Sequence, residues 1–178
     1  MPEMAERKLA NSVAEHRKKS HIRAGVAVIT LSSSRSLDTD KSGDIIQQLL
    51  ETNGHRVHFR RLIPDSRNVL RATLRELVRE KEVHAIITTG GTGLAPTDVT
   101  IEAVRGMLDK ELVGFNALFM LLSYPQVKSA SMLSRALAGT IKEKVVFCLP
   151  GSPRACKLAT ESLILPELGH IVMLLGTK

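Results

Sequence analysis

The stretch Thr88–Asp98, TTGGTGLAPTD, places Gly90, Gly91 and Gly93 in one short loop and closes on a carboxylate. The residues leading into it, Val83-His84-Ala85-Ile86-Ile87-Thr88, are mostly apolar and β-branched, the composition of a short strand. Those after it, Val99 to Val104, read as the start of a helix. A strand that feeds a glycine-rich loop and then a helix suits phosphate. Glycines let backbone N–H groups approach an anion closely, and the helix dipole favours negative charge. Glycine-rich turns also simply connect strands to helices, so the loop alone leaves both readings open. Two familiar phosphate motifs do not fit. A Walker A loop needs Gly-Lys-Ser/Thr, and Gly93 is followed by Leu94-Ala95-Pro96. The dinucleotide fingerprint needs a third glycine where Pro96 stands.

Upstream of the loop, strands and helices alternate. Ala24–Leu31 (AGVAVITL) reads as a buried strand, and Asp40–Glu51 as a helix with apolar Ile45, Ile46, Leu49 and Leu50 and a stop at Gly54. Val57–Ile63 is a second strand, and Ser66–Lys81 repeats Val69, Leu70, Leu74, Leu77 and Val78 at helical spacing. Downstream, helices are predicted over Thr100–Leu108 and Phe115–Tyr124. A strand pair Leu137–Ile141 and Val145–Leu149 follows, joined by Lys142-Glu143-Lys144. The turn Pro150-Gly151-Ser152-Pro153 then opens a closing helix. This order predicts an α/β fold, three-layered α/β/α around a mostly parallel sheet. One domain is expected over 23–178, after a basic flexible tail over 1–22. Ligands in such sheets gather at the carboxyl ends of the strands. Four loops should meet there: Ser32–Ser36, Pro64-Asp65, the glycine loop and the PGSP turn.

The 178 residues carry a formal charge of +7 and are 43% hydrophobic. A basic balance suits nucleic acid or phosphorylated small molecules, but only 3% of residues are aromatic and no basic stretch interleaves with them. Nucleic acid is therefore not expected. The charged N-terminal residues lack a secretory h-region and no apolar run is expected to span a membrane, so the cytoplasm is the expected location. Cys148 and Cys156 have no metal-binding spacing and read as free buried thiols.

Asp65 and Asp98 each follow a predicted strand. Two carboxylates beside a phosphate-type loop suit Mg²⁺, which takes one or two protein carboxylates plus phosphate oxygens and water. Each could instead cap the helix after it. Asp38-x-Asp40-x-Ser42-Gly43 resembles the front of an EF-hand loop, but Leu49 stands where the closing Glu belongs, so Asp40 and Ser42 are read as starting a helix. His55 and His58 sit at odd spacing in a strand, on opposite faces, and suit an edge or surface better than a metal. Ser134 precedes a strand and is either functional or ordinary.

Taken together, DKSGDII (Asp40–Ile46), RLIPD (Arg61–Asp65), TTGGTGLAPTDVT (Thr88–Thr100), MLSRALAG (Met132–Gly139) and LPGSPRA (Leu149–Ala155) resemble the MoaB/MogA family of molybdenum cofactor biosynthesis. Tail and length look closer to MoaB. The resemblance implies a molybdopterin-binding fold, commonly trimeric or hexameric. It implies an Mg²⁺- and ATP-dependent adenylylation of molybdopterin that releases pyrophosphate ahead of molybdate or tungstate insertion. It assigns Gly90, Gly91, Thr92 and Gly93 to phosphate, Asp65 and Asp98 to catalysis and Mg²⁺, and Ser134 with Pro150, Gly151 and Ser152 to the pterin side. Ser32, Thr89 and Arg135 complete the expected substrate-binding set, and other cofactor-biosynthesis proteins are implied as partners. The segment Gly114-Phe115-Asn116-Ala117-Leu118-Phe119-Met120 departs from the family's GFGE-aromatic-Arg by lacking the Glu and the Arg. Two other readings stay in view. One is a non-catalytic molybdopterin-binding scaffold. The other is a nucleotide hydrolase of the competence-associated family, in which an acid follows the motif Asp where Val99 stands here.

Overall fold

Strand β1 (Gly25–Leu31) is buried along its whole length, which is why its sequence is continuously apolar instead of alternating. In the computed structural model, which describes residues 22–176, it lies inside a six-stranded sheet. The other strands are β2 (Arg56–Ile63), β3 (Ala85–Thr89), β4 (Lys110–Glu111), β5 (Leu137–Ile141) and β6 (Lys144–Leu149). They are ordered β2-β1-β3-β6-β5-β4. The first four are mutually parallel, with Val28 opposite Ile87 and Ile87 opposite Phe147; β5 and β4 add antiparallel pairing at one edge.

Helices cover both faces. Helices α1 (Lys41–Thr52), α4 (Val113–Val127), α5 (Pro153–Ala159) and α6 (Leu165–Gly176) meet one face through Ile46, Leu50, Phe119, Ala159 and Leu168, packed on Val28, Ile87 and Phe147. Helices α2 (Arg67–Leu77) and α3 (Thr100–Arg105) meet the other through Leu70, Leu74, Leu77, Ile101 and Val104, packed on Ile29, Ile86 and Val146. Successive strand residues feed opposite cores, as the pleat requires. The architecture is the three-layer α/β/α sandwich predicted.

Several boundaries differ. Strand β3 starts at Ala85, α2 stops at Leu77, and α3 ends at Arg105. The two-residue strand β4 carries no sequence signal, because pairing with Gly139 and Thr140 makes it a strand. Residues 1–21 of the expected tail lie outside the described residues; Ile22, its last residue, packs against the core. The closing helix is longer than expected. Through a π-helical turn at Thr160–Ile164, Pro153–Gly176 forms one helical run whose length and composition would suit a membrane span, contrary to the expectation of none. Here Cys156, Ala159, Ile164, Leu168 and Val172 from that run pack into the core.

The DKSG segment is resolved as a buttress. Asp40 caps α1 by accepting from the Gly43 N–H at 3.2 Å. Its buried carboxylate also pairs with Arg60 and accepts from the Thr30 hydroxyl. Burial alone would push this carboxyl up, but bonds from Thr30, Arg60 and Gly43 outweigh it and hold it below the usual carboxylate range. A Cβ on Gly43 would fall within 2.0 Å of the Arg60 guanidinium, so the pair fits only over a glycine.

At the opposite end of β1, two histidines accept from consecutive amides. Ala24 N–H donates to His55 Nδ1 (3.2 Å) and Gly25 N–H to His84 Nδ1 (2.9 Å). His58 lies on the edge strand β2, 3.9 Å from Glu82. An imidazole accepting at Nδ1 must be unprotonated there. Burial lowers the pKa of both His55 and His84; for His84, neighbouring Lys144 and His58 add to the effect while Glu82 opposes it. As pH falls through about 6.5, the unfolded chain therefore takes up protons first. Stability is complete above that pH and declines below it. The melting temperature should drop by several degrees between about pH 6.5 and 5. Replacing both histidines by Asn should flatten that slope.

Candidate functional site

The carboxyl ends of β1, β2, β3 and β6 open on one cleft of about 540 Å³. All four expected loops contribute: Ser32 after β1, Asp65 after β2, Gly90 to Gly93 with Asp98 after β3, and Pro150, Gly151 and Ser152 after β6. Ser134 joins from the segment before β5. A side chamber of about 220 Å³ shares Ser134, Pro150 and Ser152 with the cleft and runs back to Phe119, Ala155 and Leu158.

The backbone of the glycine loop is held from behind at every carbonyl. Gly90 O accepts from the Thr100 hydroxyl (2.8 Å) and Gly91 O from the Thr100 N–H (2.9 Å). Thr92 O accepts from Arg135 Nε (2.9 Å) and Gly93 O from Arg135 Nη2 (2.6 Å). The loop's peptides are trans, as are all among the described residues, so each C=O and the following N–H point opposite ways. Tying back these carbonyls turns the N–H groups of Gly91, Thr92, Gly93 and Leu94 away from Thr100 and Arg135. None of those N–H groups has an acceptor among the described residues. The bend requires φ of 96° at Gly90 and 62° at Gly91, values that glycine adopts without strain. Consecutive unpaired N–H groups beside a cleft form an anion-binding concavity.

The carboxylates press against this loop. A Cβ on Gly93 would stand 2.7 Å from Asp98 Oδ2, and one on Gly91 3.4 Å from Asp65 Oδ1. Neither aspartate is a helix cap. Ser66 caps α2, and Val99 holds the N-cap position of α3 with no side-chain cap. Asp65 Oδ2 accepts from the Ser33 hydroxyl (2.9 Å), and Asp98 Oδ2 from the Ala95 N–H (2.9 Å). Each acid keeps its Oδ1 free of donors among the described residues, the donor set that a hard cation sharing its shell with phosphate and water needs. The described residues hold no cluster of three or more His, Cys, Asp or Glu that would bind a metal without such help.

Other expected residues fall into place differently. The Ser134 hydroxyl lines the cleft and has no partner among the described residues. Ser32 Oγ accepts from the Arg35 N–H, and Ser152 Oγ caps α5 through the Ala155 N–H, so both shape the walls. Thr89 is buried behind the cleft and donates to Pro150 O (2.9 Å). Arg135 does not line the cleft; its guanidinium is committed to the loop and to Glu102. Both belong to the expected substrate-binding set; neither lines the cleft, and both hydrogen-bond to residues that do. Cys156 shares Pro150 O with Thr89, and burial raises its thiol pKa; it pushes Cys148 up to about 12, so both are inert thiols.

Arg35 was missed. It lines the cleft, exposed and with no ion-pair partner among the described residues. Its signal was available, as the lone cation of the Ser32–Ser36 loop. The altered Gly114–Met120 segment forms the first turns of α4, and none of its residues lines the cleft.

A doubly wound α/β domain with one glycine-walled, carboxylate-bearing cleft at its strand ends is the class these features define. The family described as a probable molybdopterin binding domain matches residues 27–170. Molybdenum cofactor biosynthesis protein B of Bacillus cereus is 44% identical over 161 residues, covering 90% of this chain and 95% of its own. A crystal structure of a molybdenum cofactor biosynthesis protein B superposes with a TM-score of 0.84 at 43% identity, covering 86% of this chain and 96% of that one. The tungsten cofactor synthesizing protein MoaB from Pyrococcus furiosus does so at 0.78 and 34% identity, covering 86% and 98%. The chain belongs to the MoaB family of molybdenum cofactor biosynthesis proteins. A CinA protein from Thermoplasma acidophilum, at 20% identity and a TM-score of 0.55, shares the fold alone.

Proposed function

We propose that this protein binds molybdopterin and adenylylates it with ATP and Mg²⁺, in the cytoplasm, ahead of molybdate or tungstate insertion. The carrying observation is the run of unpaired N–H groups from Gly91 to Leu94 set against two carboxylates that each keep one oxygen free. In this reading a terminal phosphate oxygen of molybdopterin forms a bond to the α-phosphorus of ATP. The bond from that phosphorus to the bridging oxygen breaks, and pyrophosphate leaves. Such a transfer needs positioning and charge neutralisation more than covalent help.

The loop N–H groups bind phosphate oxygens, and Arg35 offsets further charge. Asp65 and Asp98 would hold Mg²⁺, which supplies charge neutralisation on the transferring phosphates. Ser134 and the Pro150-Gly151-Ser152 wall take the pterin, with the side chamber beside them. The Gly114–Met120 segment reaches only the side chamber, through Phe119, and leaves the loop and both carboxylates untouched, which favours turnover over a scaffold role. Incubation with molybdopterin, ATP and Mg²⁺ should yield equal amounts of pyrophosphate and adenylylated pterin. Pterin binding with no pyrophosphate would return the protein to the scaffold reading.

Ser134→Ala should weaken molybdopterin binding on the order of tenfold, the worth of a hydrogen bond to a charged or well-oriented partner. The fold should persist, since that hydroxyl supports nothing else. Titration with molybdopterin checks this, and unchanged affinity removes Ser134 from the pterin side.

The protein is expected to be a homotrimer or hexamer. Helix α4 buries only Phe115, Phe119 and Ser123, while Val113 is 73% exposed, Leu121 68% and Tyr124 55%. The apolar surface continues through Met132 and Leu133. A monomer would present all of it to water. Sedimentation at micromolar concentration should show a multiple of 19.5 kDa; a single monomeric species removes the oligomer.

A further inference from the structure

We propose that Arg135 is a positioning residue that aims half of the anion-binding loop without touching the ligand; this rests on the loop being the phosphate site. Its guanidinium forks onto consecutive carbonyls, with Nε on Thr92 O (2.9 Å) and Nη2 on Gly93 O (2.6 Å). On its other side Nη1 donates to Glu102 Oε1 at 2.6 Å, and Nη2 reaches Glu102 Oε2 at 3.4 Å. Glu102 belongs to α3, whose first residue, Thr100, holds the carbonyls of Gly90 and Gly91. One short helix thus anchors the whole loop, directly through Thr100 for its first half and through the Glu102–Arg135 pair for its second.

The planar fork explains the choice of side chain. Two carbonyls from adjacent peptides can be gripped together only by donors in a fixed plane, which a lysine ammonium lacks. Fixing Thr92 O and Gly93 O orients the Gly93 and Leu94 N–H groups the other way, because each trans peptide is rigid. A donor that is already oriented before the anion arrives avoids the ordering cost of binding. The Arg135 hydrogen bond holds the Glu102 carboxyl below its usual pKa range, so the pair stays charged at neutral pH.

The test separates aiming from charge. Magnesium pyrophosphate is titrated into the parent, Arg135→Ala, Arg135→Lys and Glu102→Gln by calorimetry. ¹⁵N heteronuclear NOEs of Gly91 to Leu94 are recorded without ligand. Arg135→Ala and Arg135→Lys should both weaken pyrophosphate binding on the order of tenfold, and both should lower the NOEs of Gly93 and Leu94. Glu102→Gln should do the same to a smaller degree; it leaves Arg135 in place and keeps the comparison usable if Arg135→Ala fails to fold. Rescue of binding by Arg135→Lys would show that Arg135 acts through its charge on the ligand and would overturn the proposal. So would unchanged NOEs in the Arg135 variants. If the parent itself binds no pyrophosphate, the phosphate reading of the cleft fails, and the NOEs still decide whether Arg135 orders the loop.

Discussion

Asp98→Asn is expected to lower adenylylation by about 10²- to 10³-fold, the scale seen when one preorganised electrostatic contact is removed from a transition state. The amide keeps an oxygen that can accept from the Ala95 N–H, so the loop closure made at 2.9 Å survives. Melting temperature should therefore change little, since a single exposed hydrogen bond is worth about 0.5–1.5 kcal/mol at most. What the variant loses is the negative charge. Bare Asp98 beside bound phosphate would repel it, and its presence makes sense when it brings a cation with it. Pterin binding should persist in the variant while Mg²⁺ affinity falls. Turnover within a few-fold of the parent would take Asp98 off the catalytic list and favour a scaffold, because the structure shows no helix cap for it to be serving instead.

Asp40→Ala should be the most destabilising change near the site, by about 3–5 kcal/mol. It strips Arg60, whose side chain is only 15% exposed, of its buried counter-ion and leaves it only the exposed Asp44 at 3.5 Å. It also deprives α1 of its N-cap and the Thr30 hydroxyl of its acceptor. Arg60 already leaves its Nε without a partner, and Asp44, being exposed, offsets only part of the loss. Urea unfolding measures the effect directly. Combining Asp40→Leu with Arg60→Met should cost less than the two single changes added together, because the uncompensated charge is then gone. The damage should reach the cleft as well. Helix α1 is tied to the Gly151 wall by the Ser42 hydroxyl at 2.8 Å, so a displaced α1 takes that wall with it.

By itself the sequence determined the layer order and the place of the cleft. Apolar runs without alternation marked strands covered on both faces, and the four loops that ended them had to share one edge of a parallel sheet. Local chemistry also sufficed to reject the EF-hand at Leu49 and to mark Asp40 as a helix start. Contacts between distant residues were beyond it. Nothing in the Arg135 neighbourhood says that its guanidinium will find Thr92 O and Gly93 O, 43 and 42 positions away, and so brace the loop. Strand β4 exists because Gly139 and Thr140 offer it partners, and the closing helix is a core element because Ile164, Leu168 and Val172 meet the sheet. Spacing along a chain fixes which residues share a face, whereas a hydrogen bond across the fold depends on where two separate faces are brought to rest. Why the loop gives up its side chains was decided there too: the Thr100 hydroxyl and the Asp98 carboxylate occupy the space that a Cβ on Gly91 and on Gly93 would need.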